Sequence, residues 1–538
     1  MKFVQPPAGK ACVNLKRRTT MPSFYIPLSG LDADSTALNT IANNLANMNT
    51  NGFKAQTTNF GDLFYQQVGT TGSGDRIQVG TGVQVAANST DFSEGSISST
   101  DVSTDAAVNG AGFFVLDGGG GSQLYTQNGG FQLSSNGTLE TADGLAVMGY
   151  PATNGAVNTN GGLVDINIPT GQVMQPAATT NFSMTQNLDS QSAVGAQTTG
   201  QVQVYDSLGN TYEATVTYTN KGDNTWGYGI SMPDTLKANS STAAGVTTIN
   251  YNFGSSGGTL ATVDPGTNLT ITGPTANGTA TTTAPTVTAG ETVGNPGPPA
   301  TGYVAALDAA ITAAGITGVT VTSTAGGQLS ITGTGISTSG SVIQDPVASA
   351  NATGTMTFNS SGNLVSPATD VSGITFAGLS DGAATMNLNL NLYGANGTGD
   401  ISQTAAASST SATSQNGYAS GQYDSFSINA SGVISATYSN GQTQNVGQLA
   451  IATVSNEQGL VDVGSTEYQV TTASGNASEG VAGTGGRGTI EGSSLEASNV
   501  NISAEFSDLI VAQRAFEANS KAVTTFDTVT QETINMIH

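Results

Sequence analysis

Two segments at opposite ends of this chain carry heptad spacing, and the residues between them are patterned as β structure. Near the N-terminus Leu31, Leu38 and Leu45 recur every seven residues, with Ile41 and Met48 on the alternate seam. Near the C-terminus Ile502, Leu509, Phe516, Val523 and Ile537 fall on one seven-residue series broken only at Thr530, flanked by Phe506, Phe526 and Ile534. A period of about 3.5 keeps a single stripe of a helix against a partner. The spacing therefore predicts that the two ends meet as halves of one helical module, with a β-rich body inserted between them.

A chain of 538 residues is too long for one core and predicts several domains. Only 9% of the residues are charged, and the formal net charge is -24. Residues 1–20 hold five of the 12 Lys and Arg and no acid, so the remainder is more acidic than the total implies. Such a surface argues against nucleic acid or an anionic membrane as partner, since both require clustered cations. The basic segment 1–20 is expected to be a disordered overhang or not part of the native chain.

Chemistry is equally constrained. The single cysteine, Cys12, allows no disulfide within one chain and no thiolate metal site. The single histidine is His538, so nucleophile–His arrangements and His-based metal centres are not expected. No pair of carboxylates stands out among the 36 acids as a glycosidase pair; Asp32 and Asp34 read as solvated acids near a helix N-terminus, where negative charge is favourable. No catalytic residue, metal or cofactor is expected, and the chain reads as a non-enzyme. No apolar run approaches the roughly 18 residues of a membrane span, and the start lacks the apolar core of a secretory signal. Export would need a dedicated machine.

The N-terminal helix is expected to begin near Pro27–Ser29, with Pro in the first turn and Ser29 as cap, and to end near Asn49–Gly52. Residues 53–92, with glycines at 61, 69, 72, 74, 80 and 82, read as an extended connector. A seven-residue pattern then recurs at Leu133–Leu139, Phe358–Leu364 and Ile428–Ile434, each apolar at both ends with Asn-Gly or Ser-Gly at its centre. Gly supplies the positive φ of a tight turn, so all three predict hairpins; their uneven separation excludes a solenoid. Alternation predicts strands at Val202–Tyr205, Tyr212–Tyr218 and Trp226–Ile230. Within the Thr/Gly/Ala-rich stretch 231–350, a helix is expected over Tyr303–Ala314 with Val304, Leu307 and Ile311 on one face and Gly315 as its stop. Strands at Val319–Val321 and Leu329–Ile331 follow it.

The ends also read as motifs. Residues 38–54, LNTIANNLANMNTNGFK, resemble the N-terminal signature of bacterial flagellar rod, hook and hook-associated axial proteins. Residues 495–500, LEASNV, and 512–521, AQRAFEANSK, resemble the matching C-terminal signature. Gly112–Leu116 and Tyr125–Phe131 are similar to the family's first β domain, with Gln127 where Arg is usual. Asn187–Asp189, Asp206–Gly209 and Trp226 look like the hook subunit's second domain. Rod members have little between their ends, whereas roughly 330 residues separate Ile168 from Ala497 here, so hook subunits match best.

The resemblance implies a multidomain, mainly β chain with α-helical termini, its N- and C-terminal helices forming a coiled-coil-like assembly domain with nested, discontinuous β domains between them. The expected division is 21–52 plus 495–538 for the helical domain and 53–92 for the connector. Residues 93–168 plus 425–494 would be the first β domain, 169–230 plus 351–424 the second, and 231–350 an inserted outer domain. The implied function is that of a hook subunit, self-assembling into a curved tube that serves as a universal joint between rod and filament. Terminal helices would pack around a central channel and β domains would form outer layers. Implied partners are other copies of the chain, the distal rod protein, the hook cap protein, the hook–filament junction protein and the flagellar type III export apparatus. The implied location is the extracellular flagellum, reached without a cleaved signal peptide.

The heptad residues would then be intersubunit contacts. Asn43, Asn44, Asn47 and Asn49 would hydrogen-bond between helices, with Gln513, Arg514, Asn519 and Lys521 as partners and Gly52 and Phe53 at the junction. The apolar stripes return less free energy than ordering both helices costs in backbone entropy, so the ends are expected to order fully only on assembly. The alternatives are a distal rod or hook-associated protein, or a secreted adhesin; the last would need a signal peptide and a C-terminal barrel of alternating strands.

Overall fold

The computed structural model describes residues 24–536, apart from 71–75, 284–301, 395–396 and short breaks between 237 and 349. Residues 1–20 and Ile537 lie outside the described residues. The chain forms two compact units. One comprises the residues up to Gln172, Tyr423–Tyr438 and those from Gln442 onward; the other comprises Val173–Gln422 with Ser439–Gly441.

In the first unit, helix α1 spans Tyr25–Ala46. Pro27 lies in its first turn as expected, but Ser29 is not its cap. The Ser29 hydroxyl lies inside the helix, donating to the Ile26 carbonyl (2.8 Å) and accepting from the Val83 N–H (3.2 Å). The chain leaves α1 through a turn closed by Gly52, whose φ is +68°. A Cβ there would lie 2.6 Å from the Asn128 backbone nitrogen, so both conformation and space call for glycine.

Residues 53–92, expected to be an extended connector, are instead a paired antiparallel hairpin. Its base joins β1 (Gln56–Asp62) to β4 (Val83–Thr90), with Gln56 opposite Thr90 and a register shift at Asn59/Phe60. Its outer part joins β2 (Gln66–Thr70) to β3 (Arg76–Val79). The glycines suggested a loose link, but Thr, Asn and Gln between them supply the β pairing and side-chain bonds such as Asn59 to Ser89.

The β body of this unit is built from both halves of the chain. Phe113–Asp117 pairs with Gln123–Thr126 on one side and with Thr443–Thr453 on the other. Strand alternation sends Phe114 and Leu116 to one core, with Phe131, Leu139, Ile434, Leu449 and Ile451. Phe113 and Val115 go to a second core, with Tyr125, Tyr150 and Tyr468. A sheet covered on both faces explains why these runs read as continuously apolar. Gln127, at the position where the resemblance leads one to expect Arg, is buried and donates to the Gly112 carbonyl at 3.1 Å.

The second unit contains a five-stranded antiparallel sheet, Gln197–Tyr205, Thr211–Gly222, Thr225–Ser231, Thr353–Phe358 and Leu364–Ser366, in that order. The inner positions Tyr212, Ala214, Val216 and Tyr218 join Phe182, Met184 and Leu188 from a second sheet in one core. A separate core forms within 249–342, where α2 (Gly302–Ala313) buries Tyr303, Val304, Leu307 and Ile311. Gly315 (φ +70°) ends α2. All three expected hairpins form: Leu133 faces Leu139, Phe358 faces Leu364 and Ile428 faces Ile434. Asn359 and Asn429 fasten theirs by accepting two backbone N–H bonds each.

The ends of the first unit are clamped by a buried ion pair. Lys54 Nζ lies 2.7 Å from Glu496 Oε1, with the two side chains 1% and 2% exposed. Lys54 also donates to the Ser93 carbonyl, and Glu496 accepts the Gly95 N–H. Removing one partner of a buried pair leaves an uncompensated charge. Lys54→Met should therefore cost about 3–5 kcal/mol in the unfolding free energy of this unit. Adding Glu496→Leu should recover part of that loss but not all, since the Ser93 carbonyl stays without its partner and the Gly95 amide then loses its own. A denaturant double-mutant cycle measures both steps.

Candidate functional site

Helix α3 runs from Ile502 to Met536. It starts where the Asn501 side chain accepts the Ser503 and Ala504 amides, a cap for the otherwise unpaired first turn. Just before it, Asn499 accepts the Ala55 N–H and donates to the Asp91 carbonyl, both at 2.8 Å, and the Gly52 N–H donates to the Glu496 carbonyl. The two end motifs therefore meet at Gly52–Ala55 and Glu496–Asn499, and from this junction α1 and α3 run antiparallel. Asn44 faces Glu505 at one level and Gly30 faces Asn519 fourteen residues further along.

The face α1 buries is not the leucine series. Pro27, Gly30, Ala33, Ala37, Thr40 and Asn44 are buried, while Leu31, Leu38, Ile41 and Leu45 are half-buried and Met48 is exposed. Small side chains let the helix axes approach. A Cβ on Gly30 would lie 2.6 Å from Asn519 Nδ2, an atom held in place by its 2.8 Å bond to Asp34. The Asn44 side chain donates to Glu505 and to the Gln56 carbonyl (2.8 Å each) and accepts the Gln56 N–H (3.0 Å). One amide thus ties α1 to both α3 and β1. Burial pushes the Glu505 carboxyl up from its ordinary value, the Asn44 bond opposes this, and the Asp508 charge adds to the rise.

On α3 no residue is fully buried. Leu509, Asn519, Val523 and Phe526 are half-buried. Ile502, Phe506, Phe516 and Ile534 are exposed, joined by Ile510 and Val511, with Phe506 at 53% and Ile510 at 59%. The heptad series divides between an inner and an outer face, because straight helices drift relative to a 3.5 repeat. Of the polar residues, Asn44 and Asn519 bond across the two helices of one chain, to Glu505 and Asp34. Asn47 donates to Asn43 on its own helix, Asn49, Gln513 and Lys521 are exposed, and Arg514 pairs with Glu517 of α3 at 2.8 Å. Gly52 and Phe53 lie in the intrachain junction, Gly52 buried and Phe53 half-buried.

Beside this pair, α1, β1 and α3 enclose a cleft of about 290 Å³. Ala37, Ile41, Phe60, Val511, Ala512 and Ala515 make it apolar, and Asp34, Glu505 and Asp508 make it acidic. Among the described residues the two ion pairs are Lys54–Glu496 and Arg514–Glu517, and neither involves these acids. No group of described residues is arranged to hold a metal ion, and no described helix is long and apolar enough to cross a membrane. The clamp residues Lys54, Glu496 and Asn499 and the small-residue stripe were missed as site residues. Their signals were present: Lys54 is the only cation between Arg18 and Arg76, and Gly30, Ala33, Ala37, Thr40 and Asn44 recur every three or four residues.

Comparison with known proteins follows this layout. Residues 24–54 match the family described as Flagella basal body rod protein, and 491–536 match Flagellar basal body rod FlgEFG protein C-terminal. Residues 107–204 match Flagellar hook protein FlgE/F/G D1 domain. Flagellar basal body protein FlaE D2 domain matches over 172–326 and 319–418, so the match runs through the stretch 231–350, which contributes little to the resemblance read from the sequence. Flagellar hook protein FlgE of Salmonella typhimurium is 30% identical over 96% of this chain and 100% of its own length. Flagellar hook protein FlgE of Escherichia coli is 28% identical over the same shares. A flagellar basal-body rod protein, FlgG of Buchnera aphidicola, is 43% identical, but over 24% of this chain and 52% of its own. Matched from end to end by hook proteins and only in part by a rod protein, the chain belongs to the flagellar hook protein FlgE family.

Proposed function

We propose that this chain is a structural subunit of the bacterial flagellar hook, polymerising with copies of itself into a curved tube that transmits torque from rod to filament. The observation that carries this reading is the outer face of the helix pair. In a single chain α1 and α3 satisfy their polar groups and clamp their ends, yet leave Ile502, Phe506, Ile510 and Phe516 in water along one helix. Contiguous exposed apolar surface marks an interaction site; neighbouring helices in a tube wall would cover it. The half-buried Leu31, Leu38, Ile41 and Leu45 of α1 and Leu509, Val523 and Phe526 of α3 would border those contacts. By the same reading the tube meets the distal rod protein at its base and the junction protein at its tip, grows under the hook cap protein, and is fed through the flagellar export apparatus without a cleaved signal peptide. Its place is outside the cell, and its role is mechanical rather than catalytic.

Three measurements test the proposal. Tubes assembled from the purified chain should be curved and supercoiled in electron micrographs; straight tubes would favour the rod alternative. Phe506→Ser combined with Ile502→Ser should leave monomer stability within about 0.5 kcal/mol, as expected of exposed positions, and should abolish tube formation. Limited proteolysis should cut within 24–50 and 500–536 in dilute monomer and spare them in the polymer. Ends that resist cleavage equally in both would show that the helix pair is complete without neighbours.

A further inference from the structure

We infer that opposite faces of α3 form the two complementary halves of one subunit contact: the acidic cleft of each copy receives the cationic outer face of α3 from the next. This rests on the reading of the chain as a self-polymerising hook subunit and adds the identity of the mating surfaces.

At about 100° per residue, Ile510, Arg514 and Lys521 fall together on α3, roughly 140° around the helix from Asp508, Ala512 and Ala515, which line the cleft. All three outer residues are exposed. Asp34 accepts from Asn519 and Glu505 from Asn44, and among the described residues no cation is ion-paired with Asp34, Glu505 or Asp508. Between Ile510 and Lys521 the outer face holds two cations against one acid, Glu517, whose bond to Arg514 joins side chains 66% and 77% exposed; such pairs contribute little and exchange readily.

The spacing also agrees. Arg514 and Lys521 are seven residues apart, about 10 Å along the axis. The same separation runs from Asp508 to Ala515, which lines the cleft together with Asp34. Cations are scarce here, since Lys54 is buried in the clamp, so a helix face carrying two of them beside an apolar Ile510 is a specific match for an apolar cleft rimmed with acids. Because the mating surfaces differ and lie on opposite sides of one helix, the contact is heterologous. Such a contact propagates from copy to copy instead of closing into a dimer.

Charge reversal in the full-length chain tests this. Arg514→Glu with Lys521→Glu reverses the outer face, and Asp508→Lys leaves only Asp34 and Glu505 as acids of the cleft, set against one cation; circular dichroism should show the parent helix content in both, as all three positions are exposed. The first variant should form no tubes at concentrations where the parent does, and the second should need a higher concentration than the parent. Arg514→Lys with Lys521→Arg, which keeps both charges, should form tubes as the parent does. Tubes from the reversed face at the parent concentration, an Asp508→Lys variant that assembles as readily as the parent, or no tubes from the charge-keeping variant would overturn the pairing. A parent chain that forms no tubes would instead count against the proposed hook function.

Discussion

A lysine buried to 1% exposure cannot be left unpaired, and Lys54 is ion-paired with Glu496, which lies 442 residues further along the chain. The free-energy cost of stripping water from an isolated ammonium group is large enough that the chain either brings these residues together or does not bury them. Bringing them together sets much else. Gly52 is pressed against Asn128, the strand Ser494–Glu496 pairs with Ile97–Ser99, and Asn499 spans Ala55 and Asp91. The point where α1 ends and the point where α3 begins are then fixed relative to one another. Their antiparallel register, with Asn44 at Glu505 and Gly30 at Asn519, follows from that junction.

The helix pair inverts the usual division of labour in a bundle. In a monomeric bundle the large apolar residues face inward and the polar ones outward. Here the inner seam is made of Gly, Ala, Thr and Asn, held by amide bonds and close approach, and much of the large apolar surface is turned outward. Such a pair gains directional specificity from its polar bonds. Its main apolar term remains available for neighbours. A polymer subunit needs both: polar bonds that set the register of the pair, and a surface that is satisfied only in company.

What the sequence made legible, and what it did not, follows from how local each cause is. The hairpins at Leu133–Leu139, Phe358–Leu364 and Ile428–Ile434 were readable because glycine and asparagine fix a turn within a few residues. The Tyr303–Ala314 helix was readable because its stripe and its Gly315 stop are local too. The 53–92 hairpin was not, since its pairing depends on a register between β1 and β4 and on packing beside α1, while its glycines imitate a linker. The helical ends were legible as helices but not in their facing. Heptad leucines mark a seam only where side-chain bulk decides the packing; once Gly30 admits Asn519, closeness of approach decides it. Lys54 and Glu496 were written in the end motifs, yet nothing local says that a single lysine will be buried with an acid from the other end of the chain.

Charge scarcity carries the last step. In a chain with 36 acids and 12 Lys and Arg, each exposed cation is surrounded by possible partners, so a cationic face is distinguished less by strength than by what lies beside it. Ile510 supplies an apolar body and Arg514 and Lys521 a matched pair of charges. The cleft beside α1 answers with Ile41, Phe60 and Val511 and with acids on its rim. Attraction between exposed charges is weak at physiological salt, so it cannot hold a hook together. It can decide which face meets which, and the apolar surface buried behind it then supplies the affinity. A tube that must keep its connectivity while each row of subunits lengthens and shortens during rotation needs contacts of this kind, specific in pairing and tolerant of small sliding.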